Sequence, residues 1–151
     1  MQRALERELR ANVPEAELVF SRTGTADTAT DPMPPYLSDT FLKTVKCGNS
    51  ACSGSLVLNT LDMGDVGEYT AIGVRDDDGI PVIAYHDAGN GTLKFAICGA
   101  ANCTGTQTLL TLYAVAGETA GVHVDMVLAN NGRPFISHRN ETTNTLVLTT
   151  C

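Results

Sequence analysis

The residues of this chain best suited to chemistry are its three histidines, several aspartates and five cysteines. His86-Asp87 and His123-Val124-Asp125 each place an imidazole within reach of a carboxylate, because alternate residues of a strand share a face. A divalent metal could be shared by His86, His123, Asp125 and His138, and such a metal could activate water for hydrolysis. Without a metal, His86, His138 and Asp87 are candidates for acid–base work and Cys151 for a nucleophile, the thiol needing a basic neighbour. The spacing matches no named metal motif, so the plainer expectation is rim residues filling aromatic positions, with no cofactor.

The cysteines fall into two Cys-x4-Cys pairs, Cys47/Cys52 and Cys98/Cys103, with Cys151 left over. A disulfide in each pair would close a hairpin turn; zinc prefers Cys-x2-Cys and only tolerates this spacing. Cys151 is then a bridge to another chain or a reactive thiol. Asp76-Asp77-Asp78-Gly79 could attract calcium but lacks the spaced ligands of a calcium loop, and its counterpart is Asn130-Asn131-Gly132. A solvated turn is expected in both places. No nucleophile elbow, phosphate loop or dinucleotide fingerprint is present.

These residues are positioned by an internal repeat. Leu93-Lys94-Phe95-Ala96-Ile97-Cys98 matches Leu42-Lys43-Thr44-Val45-Lys46-Cys47 at an offset of 51, with both cysteine pairs in register. Asn131-Gly132-Arg133-Pro134-Phe135-Ile136 matches Asp78-Gly79-Ile80-Pro81-Val82-Ile83 at an offset of 53, and Leu146 to Cys151 repeats Leu93 to Cys98 at the same offset. Strands are expected over Tyr69–Val74, Pro81–His86, Leu93–Cys98 and Thr108–Tyr113, separated by turns whose glycines need positive φ. A period of about 50 residues with four short strands per unit points to propeller blades.

The run from Asp65 to Cys103, with Gly79-Ile80-Pro81-Val82-Ile83-Ala84-Tyr85-His86-Asp87 at its centre, resembles a repeat of secreted bacterial proteins. That resemblance covers roughly residues 42–151. It implies a propeller-like all-β fold and, through the secreted setting, a disulfide in each cysteine pair. It carries no catalytic motif. His86 departs from it by replacing a tyrosine, and His138-Arg139-Asn140 stands where the pattern has Tyr-Tyr-Asp.

The preceding residues differ in kind. Met1 to Ala11 reads as a short helix with Leu5 and Leu9 on one face, ended by Pro14, and Glu17–Ser21 reads as a strand. Thr23 to Pro35 reads as loop, and Ser38–Lys46 as a strand entering the repeat. The stretch Phe20-Ser21-Arg22-Thr23-Gly24-Thr25-Ala26-Asp27-Thr28-Ala29-Thr30-Asp31-Pro32-Met33-Pro34-Pro35, with Ser38-Asp39-Thr40-Phe41, resembles a periplasmic segment of heavy-metal efflux pumps of the resistance-nodulation-division type. The rest of such a pump is missing, so transport is not expected, and Met33 is expected to be a plain loop residue. The chain therefore reads as a chimera: residues 1–41 pump-derived, residues 42–151 propeller-like repeats.

The expectation is thus an all-β protein with incomplete β-propeller-like blades, about two per chain, and a short N-terminal helix. Exposed sheet edges and the dependence of repeats on their neighbours predict a homo-oligomer, dimer or trimer, whose partial blades complete each other. The net charge of −7 argues against nucleic acid as a partner, and no apolar run is long enough to span a membrane. Both resembled families are secreted or periplasmic, yet no leader is recognisable, so a cytoplasmic location as expressed is expected. The functional expectation is a self-assembling module, structural or ligand-binding. The alternative is a promiscuous hydrolase with a His/Asp site where subunits meet or around a central channel.

Overall fold

Short segments of apolar and β-branched residues, punctuated by Gly, Asn and Asp, form ten strands and no helix among the described residues. A computed structural model describes residues 19–24 by backbone path, and residues 41–49 and 55–151. The strands are β1 (Val19–Gly24), β2 (Phe41–Cys47), β3 (Leu56–Asp62), β4 (Val66–Val74), β5 (Pro81–Asp87), β6 (Thr92–Ile97), β7 (Thr108–Tyr113), β8 (Ala120–Leu128), β9 (Pro134–Asn140) and β10 (Thr145–Thr150). They make three antiparallel sheets, ordered β1-β2-β3, β4-β5-β6-β7 and β8-β9-β10. The helix expected over Met1 to Ala11 lies outside the described residues. The strand expected to stop at Ser21 runs on to Gly24, because β2 pairs with it as far as Gly24 opposite Phe41.

The repeat holds at the level of register. Tyr85 lies opposite Lys94 in β5/β6, and His138 opposite Val147 in β9/β10, each 53 residues on. Leu93 lies opposite Tyr113 in β6/β7, and Leu42 opposite Asp62 in β2/β3, each 51 apart. Both of those pairs are followed by the same bulge. In this frame β2 and β3 are the third and fourth strands of a unit. β1 then takes the place of the second strand, pairing with β2 as β5 pairs with β6. Packing between sheets repeats as well: β4 lies against β1 and β2, as β8 lies against β5 and β6.

Two cores separate the three sheets. Leu42, Leu61, Val66, Ile83, Tyr85, Ala96, Cys98 and Cys103 close the first, and Val82, Ala84, Leu93, Phe95 and Ile136 close the second. β5 is buried along its whole length because alternate residues enter opposite cores, Ile83 and Tyr85 one, Val82 and Ala84 the other. Its unbroken apolar run is therefore the signature of a doubly covered strand. Fully burying each such side chain stabilises the fold by roughly 1.5–3 kcal/mol before the cost of ordering the chain.

Candidate functional site

At the end of β5 the repeat builds a charged network below the surface. The Tyr85 hydroxyl donates to Asp62 Oδ2 at 2.7 Å, and Lys94 Nζ donates to the same oxygen. Lys94 Nζ also lies 3.8 Å from Asp87 Oδ2. Burial pushes the Asp62 carboxyl up. The hydrogen bonds from Lys94 and Tyr85 and the Lys94 charge outweigh that and hold it below the usual carboxylate range. Burial, reinforced by the Asp62 carboxylate, raises the Tyr85 phenol. Asp87 Oδ1 accepts from the Asn90 backbone N–H at 3.0 Å, which fixes the β5–β6 turn. Its carboxylate thus holds a turn and faces a lysine, and is not presented as a free base beside His86.

Beside this network, three rings from two sheets come together. Gly67 and Gly121 open β4 and β8 with positive φ, and two residues on Tyr69 and His123 also adopt positive φ, 46° and 52°. The two rings lie 4.7 Å apart between centroids, and Tyr69 lies 6.1 Å from the His86 ring. Tyr69 and His123 are exposed, whereas His86 is buried beneath them. His86 Nδ1 sits 2.8 Å from the Ala120 carbonyl oxygen, which can only accept, so Nδ1 carries a proton and Nε2 is the ring nitrogen not engaged in that bond. Chemically, the group offers a buried imidazole beneath two exposed, mutually tilted rings that could face a ligand. Left-handed backbone at non-glycine residues costs about 1 kcal/mol or more each and persists only where the surroundings enforce it; here the repeated bulges do so.

His138 is not part of that group. It is the register counterpart of Tyr85, while Arg139 is the counterpart of His86, so the two histidines project from opposite faces of equivalent strands. The Gly121 N–H donates to His138 Nδ1 at 3.1 Å, and Nε2 lies 3.1 Å from Thr149 Oγ1. The Tyr113 ring covers it at 5.2 Å. Burial lowers the His138 pKa, and a proton on Nδ1 would oppose the Gly121 N–H. The unfolded chain then binds this proton first as pH falls. Stability is full above about pH 6.5 and is lost below it, through the lower folded pKa. Thermal unfolding at pH 8, 7, 6 and 5 should show a melting temperature that drops towards pH 5. His138→Gln, which can still accept from Gly121, should flatten that drop; an unchanged slope would assign it elsewhere.

The other candidates lie apart. Asp125 is exposed on β8, and among the described residues no three His, Cys, Asp or Glu side chains gather closely enough to hold a metal. Cys151 is a free, exposed thiol at the opposite end of the strands. It edges an open cleft of about 360 Å³ together with Arg75, Val82, Phe95, Arg133 and Pro134. Arg75 is tied to Asp78, whose carboxylate also accepts from the Ile80 N–H at 2.9 Å, so the Asp-rich turn is closed on itself. Cys98 is bonded to Cys103 and Cys47 is also in a disulfide; Cys52 lies outside the described residues. Sequence reasoning missed Tyr69, Asp62 and Lys94. Aligning Gly67-Glu68-Tyr69 with Gly121-Val122-His123 would have paired the two exposed rings.

No family model matches the chain. The chain is 55% identical over 42 residues to the Cation efflux system protein CzcA of Alcaligenes sp. (strain CT14), and 52% identical over 42 residues to the Cobalt-zinc-cadmium resistance protein CzcA of Cupriavidus metallidurans. Each match spans 28% of this chain and 4% of the relative, so the likeness to efflux pumps is confined to one segment. No solved structure matches.

Proposed function

We propose that this chain is a self-assembling, propeller-type repeat module in which a pump-derived strand is spliced into the place of a missing repeat strand. The observation that carries this reading is the repeated stacking: β4 lies on β1 and β2 as β8 lies on β5 and β6. A sheet stacked this way has two faces to cover, and among the described residues the third sheet has one covered, with Leu146 and Leu148 exposed on the other. Its role is scaffolding or ligand binding through the end of the sheets that carries Tyr69, His86 and His123, with no metal or cofactor required. The hydrolase alternative would use His86 as a base on water, but Asp87 beside it is taken up by Lys94 and the β5–β6 turn, and the free thiol of Cys151 stands at the other end of the strands. Light scattering on a size-exclusion column, with and without reductant, tests the reading. A discrete multiple of the chain mass that survives reductant is expected, and a well-folded monomer would refute self-assembly.

A further inference from the structure

Resting on that reading, we infer that the uncovered face of the third sheet takes the first sheet of a second copy, head to tail, and that two copies close a six-sheet ring. In the second sheet, Val82, Leu93 and Phe95 form the face that the third sheet covers. Their register counterparts in the third sheet are Phe135, Leu146 and Leu148. These are exposed, Leu146 by 81% and Leu148 by 68%. An apolar face repeated in register, covered once and bare once, is built for the next sheet of the series.

The next sheet can be narrowed further. Gly73 makes room for β8, since a Cβ there would stand 2.9 Å from Leu128 Cδ1. Its counterpart in the third sheet is Val127, exposed, whose side chain would meet the first strand of an incoming full unit. The first sheet, ordered β1-β2-β3, has no such strand among the described residues. Val127 would meet β4 or β8 in another copy of the second or third sheet, and meets no such strand among the described residues of the first. The outward face of that first sheet carries Leu56 and Leu58, the latter 63% exposed, with Lys43 in the same alternation and Asp125 on the face it would meet. Each chain supplies three sheets, so two copies give six, within the usual 4–8 of a closed ring, and three copies would exceed it. A head-to-tail contact of this kind forms a closed species only if the rotation completes a circle.

Leu148→Asp and Leu58→Asp test this, because both residues are exposed within one chain and neither change should prevent folding, as circular dichroism would verify. Wild-type chain should run as a dimer and each variant alone as a monomer. A concentrated equal mixture should recover a two-chain species, because the sound first sheet of one variant meets the sound third sheet of the other. If Leu58→Asp stays dimeric while Leu148→Asp does not, two third sheets pair face to face and the inference falls, although self-assembly stands. A mixture that remains monomeric also overturns it. A monomeric wild-type chain refutes both readings, and would leave the face to a continuation of the repeat or to another protein.

Discussion

Replacing Lys94 by methionine should move the urea midpoint of unfolding down by an amount equivalent to about 2–4 kcal/mol. Lys94 is the cation between Asp62 and Asp87, and all three side chains are largely withdrawn from water. Removing one partner of a buried pair leaves the other charges uncompensated, which costs about 3–5 kcal/mol in full burial; the partial access of Lys94 to solvent lowers the figure. Methionine keeps most of the aliphatic stem and loses the ammonium, which also lies 5.7 Å from the centre of the Tyr85 ring, so the loss reports charge more than packing. The companion change Asp62→Asn in the same chain should return part of the loss, since one of the stranded carboxylates is then gone. A midpoint that does not move would mean that the network is hydrated and contributes little.

This network joins the sheets. Asp62 ends β3 in the first sheet, whereas Tyr85 and Lys94 belong to the second. At the next junction the corresponding positions hold Tyr113, at the end of β7, and His138 on β9, and the contact becomes a ring edge against a ring. The Asn140 amide and the Tyr113 hydroxyl both donate to Glu118 there, so a carboxylate is again satisfied between sheets. One junction is thus held by a lysine between carboxylates, and the other by a carboxylate that takes hydrogen bonds from uncharged donors. The change from Tyr85 to His138 brings with it the acid sensitivity expected for the second junction.

Much of this fold was legible because the repeat prints the same turn and strand chemistry more than once. Gly79 and Gly132 adopt the positive φ, 69° and 75°, that their turn sequences require, and β7 occupies the expected Thr108–Tyr113. β4 starts three residues earlier than the expected Tyr69, because Gly67 and the bulge let a strand continue through positive φ, which a plain alternation does not show. The place of β1 was not legible either: its residues resemble a pump segment, and nothing local says that it pairs as a second repeat strand. The candidate site was the least legible part. His86, His123 and His138 stand close in strand position, yet one residue of register sends His138 to another face, and register is a property of pairing that spacing alone leaves open.

Gly121→Ala should be among the most damaging single changes in the chain, lowering stability by about 2–4 kcal/mol. Gly121 has φ +83°, and a Cβ there would sit 2.9 Å from Leu93 Cα and 3.0 Å from Leu93 N. Both obstacles are backbone, which cannot rotate aside, so β8 would have to lift from β6. The lift would break the Gly121 N–H bond to His138 and loosen the contact between the second and third sheets. Gly67→Ala should behave similarly, with φ +90° and a Cβ 3.0 Å from Leu42 backbone, at the junction of the first and second sheets. Gly117→Ala separates strain from crowding: its φ is +79° with nothing within 4 Å, so only the left-handed penalty of about 1 kcal/mol applies. Equal losses at Gly117 and Gly121 in urea unfolding would show that close approach of the sheets does not limit this fold. A clear excess at Gly121 and Gly67 would show that the sheets are seated strand on strand, which is the geometry that repeated stacking, and any head-to-tail extension of it, depends on.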